Sequence, residues 1–146
     1  MQEKKFLSSR LISLQLKQAI NLAFLKAKKN GTNTVSSKFL LYGILKTNNS
    51  LAAKTINNLY SGQTLFNNKV DKILTQCELE FKTLKNTNII DNEELNFSRP
   101  IRRLLFSNFR AIKNDNTRVI TTFEVLNLLI RNKPLRVWIK SILSDK

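Results

Sequence analysis

The residues that could do chemistry are few. The chain has 146 residues, no histidine and a single cysteine, Cys77. Serine and cysteine nucleophiles of the triad kind need an imidazole to take their proton, so that chemistry is excluded. Histidine and multi-cysteine metal sites are excluded by the same count, and so is a disulfide. Cys77 falls on an apolar helical stripe and reads as a small buried hydrophobe. Glu93 and Glu94 are the one pair of adjacent acids that could serve as acid and base. They stand in the polar run "KNTNIIDNEELNFS", residues 85–98, which offers no pocket. None of Gly31, Gly43 and Gly62 sits in a G-x-x-x-x-G-K-[ST] phosphate loop. The expectation is a protein that is not an enzyme, needs no cofactor and acts by binding.

Charge narrows the partner. The net charge is +15, from 25 Lys and Arg against 10 Asp and Glu. Such a field draws anionic partners: nucleic acid, an anionic membrane surface or an acidic protein. Composition bears on this too. The chain holds 17 Lys and 18 Asn and is rich in Ile, Leu and Phe. Lys, Asn, Ile and Phe have AT-rich codons, so an AT-rich genome produces part of this charge without selection for binding. No apolar run approaches the ~20 residues that span a bilayer. The start, "MQEKKFLSSRL", lacks an apolar leader segment and carries Glu3, so no targeting peptide is expected.

Apolar spacing calls for helices throughout. Ile12, Leu16, Ala19, Ile20, Ala23, Phe24 and Ala27 recur at steps of three and four and predict a helix from Leu14 to Lys29. Ser13 caps it and Gly31 ends it. Lys38 to Leu45 follows, capped by Ser36 or Ser37, then Leu51 to Tyr60, capped by Ser50. A longer helix is expected from Thr64 to Leu84, with the stripe Phe66, Val70, Ile73, Leu74, Cys77, Phe81 and Leu84. After the polar run, Ser98 caps a helix with Pro100 in its first turn. Thr121 or Thr122 caps the next, and Pro134 opens the last. The fold class is all-α, with no strand of consequence.

The chain repeats itself. Placing Ile12 on Phe97 puts Ser13 on Ser98, Ala19 on Leu104, Val35 on Ile120, Ser37 on Thr122 and Leu45 on Ile130, at a constant offset of 85. On these residues the sequence resembles the amino-terminal domain of Clp chaperone ATPases of the ClpC type, a double helical repeat. That family carries Gly-Thr-Glu-His-Leu-Leu-Leu-Gly-Leu-Leu in each repeat. Here the first copy reads "VSSKFLLYGIL", and Gly31, Asn33, Leu40, Leu41, Gly43, Leu45, Ala52 and Ala53 fall on family positions. The second copy, "FSRPIRRLLFSNFRAIKNDNTRVITTFEVLNLLI", keeps the apolar pattern with few identities. The resemblance implies two pseudo-repeats of about four helices each, the last helix truncated or absent. The division expected is an extension at 1–11 and one domain at 12–146. Within it, repeat one is 12–84, the linker 85–96 and repeat two 97–146.

The resemblance also explains Gly43, a glycine inside an apolar helix. It matches the family glycine where helices pack closely, with Ala52 and Ala53 on the third helix expected as its small partners. ClpC-type domains use the Glu of Gly-Thr-Glu-His to hold phosphorylated arginine on substrates. Those positions are Lys38 and Phe123 here. Ser13 and Ser98 keep the opening hydroxyls, which also serve as ordinary caps. Ser13, Lys38, Ser98 and Phe123 are therefore the candidate partner-binding residues, without phosphoarginine recognition. The implied function is a non-catalytic accessory, adaptor or substrate-docking domain of a Clp chaperone–protease system. Its partners would be Clp ATPase or Clp protease subunits, adaptors or substrates, with nucleic acid bound only weakly and no membrane. The plastid stroma is the expected compartment, with bacterial cytoplasm the alternative. The competing function is a small basic helical nucleic-acid binder.

Overall fold

Hydroxyl side chains set where several of the helices begin. The computed structural model describes residues 12–47, 50–59, 69–83, 96–112 and 119–144. Helix α1 spans Leu14–Lys29, and the Ser13 Oγ accepts the Leu16 N–H at 3.1 Å. A helix start leaves such N–H groups without an internal partner, and the cap supplies one. Gly31 ends the helix with φ at 86°, a left-handed backbone that residues with a Cβ rarely adopt. Helix α2 spans Ser37–Lys46, α3 Leu51–Leu59 and α4 Lys69–Thr83. Helix α5 spans Arg99–Ile112, α6 Thr122–Ile130 and α7 Lys133–Ser144. The chain is all-α, in two pseudo-repeats: α1 to α4, then α5 to α7 among the described residues. The expected helix start at Thr64, the extension 1–11 and the Glu93–Glu94 pair lie outside the described residues.

Not every hydroxyl caps as expected. Ser50 does: its Oγ accepts the Ala53 N–H at 3.0 Å and donates to the Ile44 carbonyl at 2.6 Å. Ser36 and Thr121 occupy the cap positions of α2 and α6, but their side chains make no capping hydrogen bond. Thr122 works across the molecule instead. Its buried Oγ1 accepts the Ala52 N–H of α3 at 3.1 Å, so a residue of the second repeat caps a helix of the first.

The repeats are joined by two short parallel pairings. Thr34–Val35 (β1) pairs with Asn96–Phe97 (β2), and Ile12 bridges Ile120. The repeat offset carries Ile12 to Phe97 and Val35 to Ile120, so each pairing is the image of the other. The hydrogen bonds follow the same rule. Ser13 N–H donates to the Ile120 carbonyl at 2.9 Å, and Ser98 N–H donates to the Val35 carbonyl at 2.9 Å. One core lies beneath both repeats. Leu16 and Ile20 of α1, Leu41 of α2, Phe81 of α4, Leu105 of α5 and Leu126 of α6 are all but fully buried in it.

Gly43 is a point of close approach, but not to α3. A Cβ built on it would lie 2.2 Å from the Ala19 carbonyl oxygen and 3.1 Å from the Ala23 Cβ. The small partners are thus Ala19 and Ala23 of α1, which corrects the expectation of Ala52 and Ala53. A helix pair without protruding side chains at its crossing approaches closer than the usual 8–10 Å. The equivalent residues of the second repeat are Leu104, Asn108 and Leu128. Among the described residues, α1 and α2 make the most extensive helix contact.

Candidate partner-binding site

The two parallel pairings place the four candidate residues in two equivalent settings. β1 leads into α2 and hence to Lys38, and β2 leads into Ser98 at the head of α5. In the mirror setting Ile120 leads into α6 and Phe123, and Ile12 leads into Ser13 at the head of α1. The structure therefore groups Lys38 with Ser98 and Phe123 with Ser13, one helix head from each repeat in each group. The two serine hydroxyls are engaged locally. Ser13 caps α1 as described, and Ser98 accepts the Ile101 N–H at 3.4 Å.

Lys38 does not stand alone. Its Nζ donates to the Glu80 carboxylate of α4, and Trp138 of α7 donates its indole N–H to the same carboxylate. The Lys38 Nζ lies 4.5 Å from the Trp138 ring centroid, a cation–π contact. Three helices meet there. The side chains of Lys38 and Glu80 are 31% and 29% exposed, so the cluster is open to solvent. Burial alone would raise the Glu80 carboxyl. The hydrogen bonds from Lys38 and Trp138 and the Lys38 charge outweigh it and hold it below the usual carboxylate range.

A similar cluster lies two residues back on α4. Glu78 accepts from Lys26 of α1 and, at 3.4 Å, from the Tyr42 hydroxyl of α2. The Lys26 Nζ lies 5.3 Å from the Tyr42 ring centroid. The hydrogen bond from Lys26 is the chief cause holding the Glu78 carboxyl below its ordinary range. Burial, more than the charge of Glu78, pushes the Tyr42 phenol up.

Phe123 presents a different surface. It is 40% exposed at the start of α6, a large apolar side chain with neither charge nor hydrogen-bonding group. Sequence reasoning singled out Lys38 and Phe123 but missed Glu80 and Trp138. Trp138 is the only tryptophan, and with Leu135 and Ile139 it carries the inner side of α7. That signal was available. The pairing of Glu80 with Lys38 was not, because it joins residues 42 apart through tertiary packing.

The family model of the Clp repeat N-terminal domain matches residues 11–138. The chain belongs to the Clp N-terminal domain family. The match takes in the first pseudo-repeat and both parallel pairings and ends within α7. A Clp N-terminal domain is a non-catalytic, chaperone-related protein-binding domain, and its partners in general are Clp components. No curated protein matches the sequence. Among the described residues of this Clp N-terminal domain, no helix is long and apolar enough to cross a membrane.

Proposed function

We propose that this Clp N-terminal domain is an accessory docking module of a Clp chaperone–protease system. It acts as an adaptor or substrate-docking domain, with no chemistry of its own, and contacts Clp ATPase or protease subunits. One observation carries the reading: the two-repeat scaffold is kept while its two equivalent helix heads present Lys38 and Phe123. Neither offers the carboxylate acceptor that the resembled family uses for phosphoarginine. An ammonium has donors only, and a phenyl ring has neither donor nor acceptor. The surface then suits protein partners with acidic or apolar groups. The AT-codon bias of 17 Lys and 18 Asn supports encoding in a plastid and work in its stroma.

The test is complex formation with purified Clp ATPase rings and with the Clp protease, followed by analytical ultracentrifugation. A stoichiometric complex at about micromolar Kd is expected with one of them. Phe123→Ala should weaken it about tenfold or more, as truncation of an aromatic anchor does, with the helical spectrum unchanged. A calorimetric titration with phosphoarginine should show no saturable heat. No complex with either component at ~100 μM would overturn the docking reading. Tight phosphoarginine binding would return the domain to substrate-mark recognition.

A further inference from the structure

We infer that Lys38 and Trp138 form a carboxylate-binding site, which Glu80 fills in the free chain and an acidic side chain of a protein partner fills in the complex. The inference rests on the docking reading for the identity of the surface.

The chemistry of the pair selects the ligand. The Lys38 ammonium and the Trp138 indole N–H are both donors without acceptor capacity. They converge on one carboxylate, that of Glu80, from two different helices. The pair is therefore already a carboxylate receptor, with its occupant supplied in cis. Both Lys38 and Glu80 remain about one-third exposed, so an outside group reaches them without unfolding anything. Partly exposed ion pairs are held weakly, because water and salt compete for both charges. Exchanging one carboxylate for another then costs little.

The position of Lys38 separates this cluster from its companion. Lys26 sits in the last turn of α1, where the helix dipole favours a cation. Lys38 sits in the first turn of α2, where the dipole disfavours one. The surroundings favour an acidic protein as the occupant. Helix α7 contains no carboxylate, and Arg136 and Lys140 stand exposed on either side of Trp138 in the sequence. Leu79 and Val137, the chain neighbours of Glu80 and Trp138, are 52% and 54% exposed. A partner segment carrying acidic and apolar residues matches both features.

Glu80 holds the site at high effective concentration, so a single free carboxylate does not displace it. Occupation in cis lowers apparent affinity by the fraction of chains in which the site is open. Removing Glu80 should therefore raise affinity. The probe is a short capped peptide of glutamate and leucine, titrated against the full chain while Trp138 emission is followed. Glu80→Gln should bind it about tenfold more tightly than the unsubstituted chain. Glu78→Gln changes net charge equally and should gain only about twofold through the general field. Equal gains for both variants, or no gain for Glu80→Gln, would overturn the site. An oligonucleotide of matched charge that gains as much as the peptide would overturn its preference for carboxylates. Circular dichroism checks that each variant is folded. If Glu80→Gln is not, the unsubstituted chain decides. Peptide binding should then shift Trp138 emission, and Lys38→Met should abolish the shift. Saturation without any shift would overturn the inference. No Clp subunit enters this experiment, so it can fail while the docking reading stands, and the reverse holds as well.

Discussion

A methyl group added to Gly43 would arrive 2.2 Å from the Ala19 carbonyl oxygen. Two effects then oppose each other. Alanine is a better helix former than glycine by about 0.8–1 kcal/mol, which favours the substitution. Against that, the obstacle is backbone, and backbone of a helix cannot swing aside as the end of a side chain can. Overpacking of this kind costs typically about 1–3 kcal/mol, so the clash wins. Gly43→Ala should lower the melting temperature by several degrees, and Gly43→Ile should lower it further. A Gly43→Ala variant as stable as the parent would show that α1 and α2 separate freely. Cys77 gives a second test at this scale. Burial, with the nearby Glu80 charge, pushes its thiol up to about 12, so almost no thiolate exists at neutral pH. A thiol reagent such as dithionitrobenzoate should label Cys77 only as fast as the protein opens, and at once in denaturant. Rapid labelling of the native chain would contradict the packing of α4.

Helix α4 ties the molecule together through Glu78 and Glu80, which reach α1, α2 and α7. Both carboxyls are held below their ordinary range in the folded chain. Folding therefore favours their ionised forms. The stability they contribute is complete above the unfolded value, about 4.3, and is lost as pH falls through the folded values. Both pairs are solvent-screened, so each contributes no more than about 1 kcal/mol. The urea midpoint should fall on acidification from neutral pH to below 4, and Glu80→Gln should flatten part of that fall. A midpoint that is level across this range would mean that the clusters contribute nothing. The helices themselves were legible in the sequence because each buries a stripe, and Leu16, Ala19, Ile20, Ala23 and Ala27 announce α1 by spacing alone. The relation between the repeats was legible as well, since the offset that aligns Ile12 with Phe97 also relates the two parallel pairings. Tertiary choices were not. Spacing does not say which helix Gly43 meets, and the family likeness pointed to α3 when α1 lies there. Nor does it say that Thr122 caps α3, or that Lys38 is engaged by Glu80, since those contacts depend on how helices distant in sequence come to lie side by side.

The whole molecule combines a helical scaffold with a net charge of +15. Its far-ultraviolet circular dichroism should be dominated by helix. The charge makes a sharper prediction about partners. A field of this sign accelerates encounter with any polyanion, including RNA and DNA, and that binding is driven by release of counterions. What would let nucleic acid binding survive salt is stacking of bases on exposed aromatic rings. Among the described residues most rings are committed to the core: Phe39 stacks on Phe81 at 4.0 Å, and Phe97 packs between Phe24 and Phe106, while Phe123, at 40% exposure, is a single open ring and not a run of stacking platforms. Single-stranded oligonucleotide binding should therefore be mainly electrostatic. Its logarithm should fall linearly with the logarithm of salt, with a slope of about −0.7 per phosphate engaged, and binding should vanish near physiological salt. A Clp partner that engages Phe123 gains from apolar burial, which salt does not screen, so its complex should lose speed of association and keep most of its affinity. Measuring both over the same salt series separates the two functions on one protein. If a particular nucleic-acid sequence remains bound at physiological salt while the Clp complex dissolves, the domain is a nucleic-acid binder built on a Clp scaffold.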